Sequence, residues 1–166
     1  MGATPRWFLS TVIVPESMAT ADLFEDILSQ IDAACASLGV SVAGGHTEIT
    51  TGIDRPIVVG QMLGEVSSGR VIRSSGLRPG DAILLTKGLA IEATSILARQ
   101  MKAHLQGRGW DDAELDTATA YLTSPGISVV ADARIALQAG DVHALHDPTE
   151  GGVATALLEI ATASGV

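Results

Sequence analysis

The sequence is poor in aromatic residues, basic residues and cysteine, and each shortage argues against a class of protein. Of the 166 residues only 3% are aromatic, and ten Lys and Arg stand against nineteen Asp and Glu, for a net charge of −9. A nucleic-acid-binding or acidic-membrane-binding surface needs clustered Lys and Arg, so we expect neither partner. The lone Cys35 cannot form an internal disulfide, and its place in an apolar helical pattern predicts a buried structural thiol.

Long hydrophobic runs are also missing. No apolar run approaches the roughly 20 residues that a membrane-spanning helix needs. The first residues lack the positive charge and apolar core of a signal peptide. We therefore expect no membrane association and a cytoplasmic protein. The 46% of hydrophobic residues is ample for one good core or two small ones.

The most informative stretch begins at His146, where a polar turn follows a predicted strand over residues 142–145. Gly151 and Gly152 then open a predicted amphipathic helix, with Asp147 or Thr149 as its expected cap. Glycines at a helix start let a ligand approach the backbone, and the free N–H groups and helix dipole there favour a phosphate. The alternative interpretation is an ordinary capped helix after a tight turn.

A second stretch follows the same order about a hundred residues earlier. The pattern predicts a helix over residues 21–38, capped by Thr20 or Asp22 and ended by Gly39. A strand over residues 40–43 follows, and then a turn with the sequence Gly44-Gly45-His46-Thr47-Glu48.

The two stretches together resemble the AIR synthase-related (PurM-like) superfamily, which includes aminoimidazole ribonucleotide synthase, selenophosphate synthetase, thiamine-monophosphate kinase and the hydrogenase maturation factor HypE. The Asp-Pro-Thr-x-Gly-Gly-x-Ala-Thr-Ala-Leu form at 147–157 is most similar to the HypE branch. The resemblance implies an α/β (α+β) fold with a PurM-like two-domain architecture. Residues 1–66 would be part of the ATP-binding, dimer-forming N-terminal domain, residues 67–80 a linker, and residues 81–166 part of the C-terminal domain.

The remaining segments fit such a layout. Strands are predicted over 7–14 and 57–66, and the near-continuous apolar run of the second predicts burial on both faces. Arg78-Pro79-Gly80-Asp81 predicts a type II turn. A strand over 82–86 then leads through Lys87, interpreted as a solvated strand-end lysine rather than a phosphate ligand, into a helix. That helix is expected to face inward through Ala93, Ile96, Leu97 and Met101.

Two further helices are predicted before the strand at 142–145. Asp111 is expected to cap the first, which carries Leu115, Ala118 and Leu122. Ser124-Pro125-Gly126 breaks it, and the next helix covers residues 127–138. His143 and His146, three residues apart, are interpreted as structural or substrate-side rather than as a metal pair, because no third ligand is evident.

The resemblance also implies a chemistry. In the superfamily ATP lies between the two domains and across a dimer interface, held by magnesium, acidic side chains and glycine-rich turns. Carried over to this sequence, Gly44, Gly45, His46, Thr47 and Glu48 would face the nucleotide, with Glu48 as a Mg²⁺ ligand. Asp147, Thr149, Gly151 and Gly152 would face the phosphates or the substrate, with Asp147 and Thr149 as the catalytic residues.

One residue departs from many relatives, which carry Asp where this chain has His46. Aspartate oxygens are the harder ligands that magnesium prefers, so the change leaves two interpretations of His46 open. It faces the nucleotide as in those relatives that do carry His, or it is a loop histidine bonded to nearby backbone.

Three functions remain open from the sequence. The first is ATP-dependent phosphorylation or dehydration of an amide-type oxygen, on a small molecule or a protein carboxamide, as in hydrogenase maturation. The second is a non-catalytic ligand-binding or dimerisation module, because the Met-Gly-Ala-x-Pro start is internal in relatives and both ends of the chain look truncated. The third is an enzyme like AIR synthase or selenophosphate synthetase. A homodimer through the first segment is expected in each case, since unpaired sheet edges normally find a partner.

Overall fold

The first strand, β1 (Thr4–Pro15), is the centre of a three-stranded sheet. It pairs in parallel with β2 (Ser41–Thr50) and antiparallel with β3 (Ile57–Glu65), which gives the order β2-β1-β3. A parallel pair needs a long crossover connection, and helix α1 (Ala21–Leu38) supplies it. Val12 and Val14 of β1 are fully buried, in agreement with the apolar sequence of the central strand.

These elements come from a computed structural model that describes residues 1–166, and the chain divides into two units. The first unit is Gly2–Val71, and the second is Ile72–Val166 together with Met1. The fold class is mixed α/β, as the sequence predicts. The domain limits at 1–66, 67–80 and 81–166 stay a prediction.

Helix α1 has the bounds that its sequence pattern predicts. The Thr20 hydroxyl accepts a hydrogen bond from the Leu23 N–H at 3.3 Å, so Thr20 rather than Asp22 is the cap. Gly39 ends the helix in the left-handed conformation. Cys35 is buried, and burial, with a smaller effect of the Asp32 charge, raises the pKa of its thiol. A thiol held in its neutral form is a poor nucleophile, in agreement with a structural role.

The predicted turn at residues 44–48 is wrong, because these residues lie in the middle of β2. Neither glycine changes the direction of the chain, and Gly45 allows a close approach of the two strands. A Cβ atom at Gly45 would overlap the carbonyl oxygen of Ser10 on β1. Glycine is therefore required at position 45 by a close backbone contact, and a sequence pattern cannot distinguish this requirement from that of a turn.

Strand β3 is confirmed, but its predicted burial on both faces is wrong. Every residue of β3 is exposed, and the Val59 side chain is 56% accessible. No helix of the first unit covers this strand, since α1 packs beside β2. The apolar run of β3 thus reflects the strand propensity of its residues, and no element of the first unit buries it.

The second unit is helical, and no strand forms in it. A small core of Ala98, Leu115 and Ala118, with Leu105 against it, holds the first three of its helices together. No helix in the structure combines the length and the apolar character needed to cross a bilayer. The helices are α2 (Ile91–Gln100), α3 (Lys102–Gln106), α4 (Asp112–Ala120), α5 (Val130–Ala139) and α6 (Gly152–Ser164).

Two local predictions in this unit are confirmed. Asp111 caps α4 in a full capping box, because its carboxylate accepts the Glu114 N–H at 2.8 Å while its own N–H donates to Glu114 at 2.9 Å. The type II turn at 78–81 forms with Gly80 at a φ of 96° and a 3.1 Å bond from the Asp81 N–H to the Arg78 carbonyl.

Other predictions for this unit are wrong. Residues 82–86 and 142–145 are not strands, because no segment of the unit forms a hydrogen-bonded ladder with them. Helix α2 packs through Ser95 and Ala98 instead of its predicted apolar face, and the Ser95 hydroxyl donates to the Thr119 carbonyl at 2.8 Å. Helix α5 begins at Val130, three residues later than predicted, after the irregular turn Leu122–Gly126.

Candidate functional site

The start of α6 is the part of the second unit best suited to bind an anion. Gly151 and Gly152 both have left-handed backbones, with φ of 77° and 65°. No side chain caps the helix, so the predicted capping by Asp147 or Thr149 is wrong. The backbone takes that role instead, since the Gly152 N–H donates to the Thr149 carbonyl at 3.1 Å.

The absence of a side-chain cap has an electrostatic consequence. The first amides of a helix have no partner within it, and the helix dipole concentrates partial positive charge there. At α6, which is 13 residues long, no side chain accepts from these amides. A Cβ at Gly152 would meet nothing within 4 Å, so there is open space beside this residue, whereas a Cβ at Gly151 would overlap the Thr155 side chain. This donor set fits a phosphate group.

The loop before α6 carries two carboxylates, Asp147 and Glu150. The Asp147 side chain is 86% exposed. The pKa of Glu150 is lowered, first by its own backbone N–H and then by the Thr149 hydroxyl, so its negative charge persists into acid. Two carboxylates beside a helix start repel a bare anion more than an anion that is paired with a cation.

His146 connects this loop to the body of α6. Its Nε2 lies 2.7 Å from Oε2 of Glu159, and its Nδ1 accepts the backbone N–H of Asp147 at 3.0 Å. His143 has a separate partner, with Nδ1 2.8 Å from Oδ1 of Asp81. The two histidines therefore contact different carboxylates, and no group of three or more His, Cys, Asp or Glu side chains is arranged to hold a metal ion.

Asp81 is a further carboxylate whose role the sequence does not indicate. The Arg78 N–H, at 2.8 Å, is the main cause of its lowered pKa, and the hydrogen bond and charge of His143 add to the effect. Partial burial opposes the shift without reversing it. The pair ties the type II turn at 78–81 to the extended segment that contains His143.

Lys87 is not the solvated lysine that the sequence predicts. Its Nζ donates to the Pro125 carbonyl at 2.8 Å and lies 3.5 Å from Oδ2 of Asp132, and its side chain is only 18% exposed. Both Lys87 and Ala90 have left-handed backbones, with φ of 61° and 53°. Lys87 thus ties the segment before α2 to α5, and no residue pattern predicts a pairing over such a distance in the chain.

The predicted nucleotide-facing residues 44–48 lie together on β2 in the first unit. His46 and Glu48, two residues apart, share one face, and His46 Nε2 lies 3.0 Å from Glu48 Oε2. Both side chains are more than half exposed. Because β2 is an edge strand, half of its amides point away from β1.

The structure thus brings the predicted site residues together in two groups, one in each unit. The residues on β2 offer side chains and edge amides, and the residues at 147–152 offer helix amides and carboxylates. Neither of two surface depressions, one beside Trp110 and Tyr121 and one at residues 52–57, contains any of them. Sequence reasoning missed Glu150 and Glu159, although the loop position of the one and the helical position of the other were visible signals.

Comparison with known proteins matches both units. Residues 1–66 match the family described as AIR synthase related protein, N-terminal domain, and residues 78–166 match AIR synthase related protein, C-terminal domain. The two matches together leave only residues 67–77 unassigned.

Individual relatives agree with the family matches. Carbamoyl dehydratase HypE of Cupriavidus necator is 31% identical over 99% of this chain and 44% of its own length. Selenide, water dikinase of Burkholderia pseudomallei is 31% identical over 100% of this chain and 43% of its own length. A crystal structure of the hydrogenase maturation protein HypE in complex with ATP superposes with a TM-score of 0.69 at 26% identity, over 98% of this chain and 45% of that one. The chain therefore spans less than half the length of these relatives.

Proposed function

Because the chain belongs to the AIR synthase related protein family, we propose that it is the part of an ATP-dependent enzyme that holds the nucleotide phosphates. The reaction is phosphorylation or dehydration of an amide-type or carboxamide-type oxygen, on a small molecule or a protein, as in hydrogenase maturation. The observation that carries the proposal is the start of α6, with two left-handed glycines and no side-chain cap.

The residues have distinct roles in this proposal. The backbone amides at the start of α6, which Gly151 and Gly152 open, hold phosphate oxygens. The residues that face the nucleotide are Gly44, Gly45, His46, Thr47 and Glu48. Asp147 and Thr149 act as the catalytic pair at the entrance of the loop, where the exposed carboxylate can orient the acceptor oxygen. When bound, ATP supplies the phosphoryl group that turns a poor leaving oxygen into a good one. A relative solved with ATP supports the choice of nucleotide.

The chain offers fewer ligands for Mg²⁺ than for the phosphate groups. Octahedral Mg²⁺ takes oxygen ligands and keeps several waters, so one or two carboxylates with phosphate oxygens suffice. Glu48 is the proposed ligand, and within the chain its carboxylate contacts only His46. No cluster of the chain completes a metal site alone. We therefore propose that the cation is held with the nucleotide rather than before it.

Calorimetric titration of the chain with ATP and MgCl₂ tests this proposal. Gly152→Asp places a carboxylate at the amides of α6 and should weaken binding at least tenfold, about 1.4 kcal/mol. Gly165→Asp is the matched control, because Gly165 ends the same helix with a φ of 72° and equally open surroundings. Absence of binding to the folded parent chain, or equal losses in both variants, would contradict the proposed phosphate site.

A second candidate is activation of selenide, because the selenide, water dikinase relative is as similar to this chain as the carbamoyl dehydratase is. Phosphorus NMR of the protein with ATP and either selenide or a carboxamide peptide separates the two. The proposal of a non-catalytic module requires ATP turnover with neither. Homodimerisation and a cytoplasmic location stay predictions.

A further inference from the structure

His146 occupies the junction between the loop at 147–150 and the side of α6. Its side chain is 25% exposed, whereas Asp147 beside it is 86% exposed. The ring accepts the Asp147 N–H through Nδ1 and contacts Glu159 through Nε2. Glu159 lies two helical turns beyond Gly152, so one imidazole joins the start of the loop to the interior of the helix.

The two contacts define a single tautomer of the neutral ring. A backbone N–H can donate only to a ring nitrogen that has no proton, so Nδ1 is the acceptor. The proton is therefore on Nε2, from which it is donated to the Glu159 carboxylate at 2.7 Å. With the proton on Nδ1 the ring would lose the Asp147 N–H. It would instead point its donor at Oδ1 of Asp147, which lies 3.6 Å away.

We propose that His146 is a positioning residue for the phosphate-binding loop, and that Glu159 selects the tautomer in which it works. In this tautomer the ring fixes the backbone of Asp147 and leaves its carboxylate free for ligand. In the other tautomer the ring engages that carboxylate and releases the backbone. The nature of the ligand rests on the proposed function, whereas the anchoring itself does not.

Anchoring matters here because the loop ends in two glycines. Gly151 and Gly152 restrict the backbone less than other residues would, so an unanchored loop has more conformations to lose when a ligand binds. A fixed loop has already lost them, and preorganisation of this kind improves affinity without adding a contact. His146 thus contributes to binding although it does not touch the ligand.

Two matched pairs of variants test the proposal. The side-chain oxygen of Asn reaches the place of Nδ1, so His146→Asn keeps an acceptor for the Asp147 N–H, whereas His146→Gln reaches towards Glu159 and loses that acceptor. Likewise Glu159→Gln keeps an oxygen acceptor for Nε2–H and Glu159→Leu removes it. Imidazole ¹⁵N shifts report the tautomer, and the Asp147 amide shift reports the anchoring bond.

We expect the parent chain to show a protonated Nε2 and an unprotonated Nδ1. Glu159→Leu should yield a mixture of tautomers and weaken binding of Mg-ATP about fivefold, and Glu159→Gln should restore both. His146→Asn should keep the Asp147 amide shift that His146→Gln loses. A parent ring protonated on Nδ1, or indistinguishable Asn and Gln variants, would overturn the positioning role. Failure of every chain to bind Mg-ATP, with the expected ring signals intact, would overturn the proposed function alone.

Discussion

The two glycine pairs, Gly44-Gly45 and Gly151-Gly152, look alike in sequence but lie in different surroundings in the structure. The first pair lies inside β2, where a missing Cβ lets the backbone approach Ser10 of β1. The second pair lies at the start of α6, where both backbones are left-handed. Gly45 makes room for a backbone contact within the sheet, Gly151 makes room for the Thr155 side chain, and only Gly152 faces open space.

The difference shows what a glycine pair can and cannot indicate. Glycine is required wherever a backbone must come close to another group or adopt a positive φ. Both requirements arise at turns, in sheets and at ligand sites, so the residue type alone does not separate them. The two cases are distinguished by strand pairing, because β2 forms hydrogen bonds with β1, whereas the loop before α6 has no strand partner.

The largest effect should follow from adding a methyl group to the first pair. Gly45→Ala places a Cβ on the Ser10 carbonyl and should destabilise the first unit by about 3 kcal/mol, because neither strand backbone can move without breaking the ladder. Chemical denaturation followed by circular dichroism measures it. Gly44→Ala is the control, since Gly44 has nearly the same φ, 153° against 158°, while its Cβ would make an ordinary 3.7 Å contact with Leu9. Equal losses in the two variants would mean that close approach is not the reason for Gly45.

A smaller effect distinguishes the two kinds of helix start. Thr20→Ala removes the side-chain cap of α1 and should cost about 1 kcal/mol of unfolding free energy. Thr149→Ala should cost less than about 0.5 kcal/mol, because Thr149 supplies only its backbone carbonyl to α6. Thermal denaturation of the two variants beside the parent provides the measurement. A larger loss for Thr149 would restore it as the cap.

The smallest effect concerns the carboxylate–histidine pairs of the two units, and it depends on pH. The pKa of Asp81 is lowered in the folded state, chiefly by the Arg78 N–H, so its charged form stabilises folding. That contribution is complete above the unfolded-state pKa of about 3.9 and is lost as the pH falls through the lower folded value. Asp81→Asn should therefore lower the melting temperature slightly at neutral pH and make less difference in strong acid.

The exposed pair on β2 serves as the control for that experiment. Glu48→Gln alters the contact between His46 and Glu48, whose side chains are 66% and 56% exposed, and such exposed pairs contribute little. Its melting temperature should match that of the parent at every pH. A pH-independent difference for Asp81→Asn would show that the carboxylate contributes shape rather than charge.

Features controlled by nearby residues were predictable from the sequence. The cap at Thr20, the end of α1 at Gly39 and the capping box at Asp111 each depend on groups within a few positions. The family resemblance likewise rests on contiguous motifs, and both family matches confirm it.

Features that depend on distant segments were not predictable. The apolar run at 82–86 has strand composition, yet a strand exists only where another segment accepts its hydrogen bonds. The pairing of Lys87 with the Pro125 carbonyl spans 38 residues, and that of His146 with Glu159 crosses the loop that defines the candidate site. Residue patterns indicate the loop at 147–152, but the missing side-chain cap of α6 and the contact with Glu159 depend on the three-dimensional arrangement.

The central position of β1 has a consequence for synthesis on the ribosome. The strand leaves the ribosome before both of its neighbours, which are completed only at Thr50 and Glu65. Strands β2 and β3 are adjacent in sequence but lie on opposite sides of β1, so no local hairpin can nucleate the sheet. The apolar residues of β1 therefore stay unpaired until about fifty residues beyond Pro15 have emerged. During that time they are exposed to chaperones and to other nascent chains.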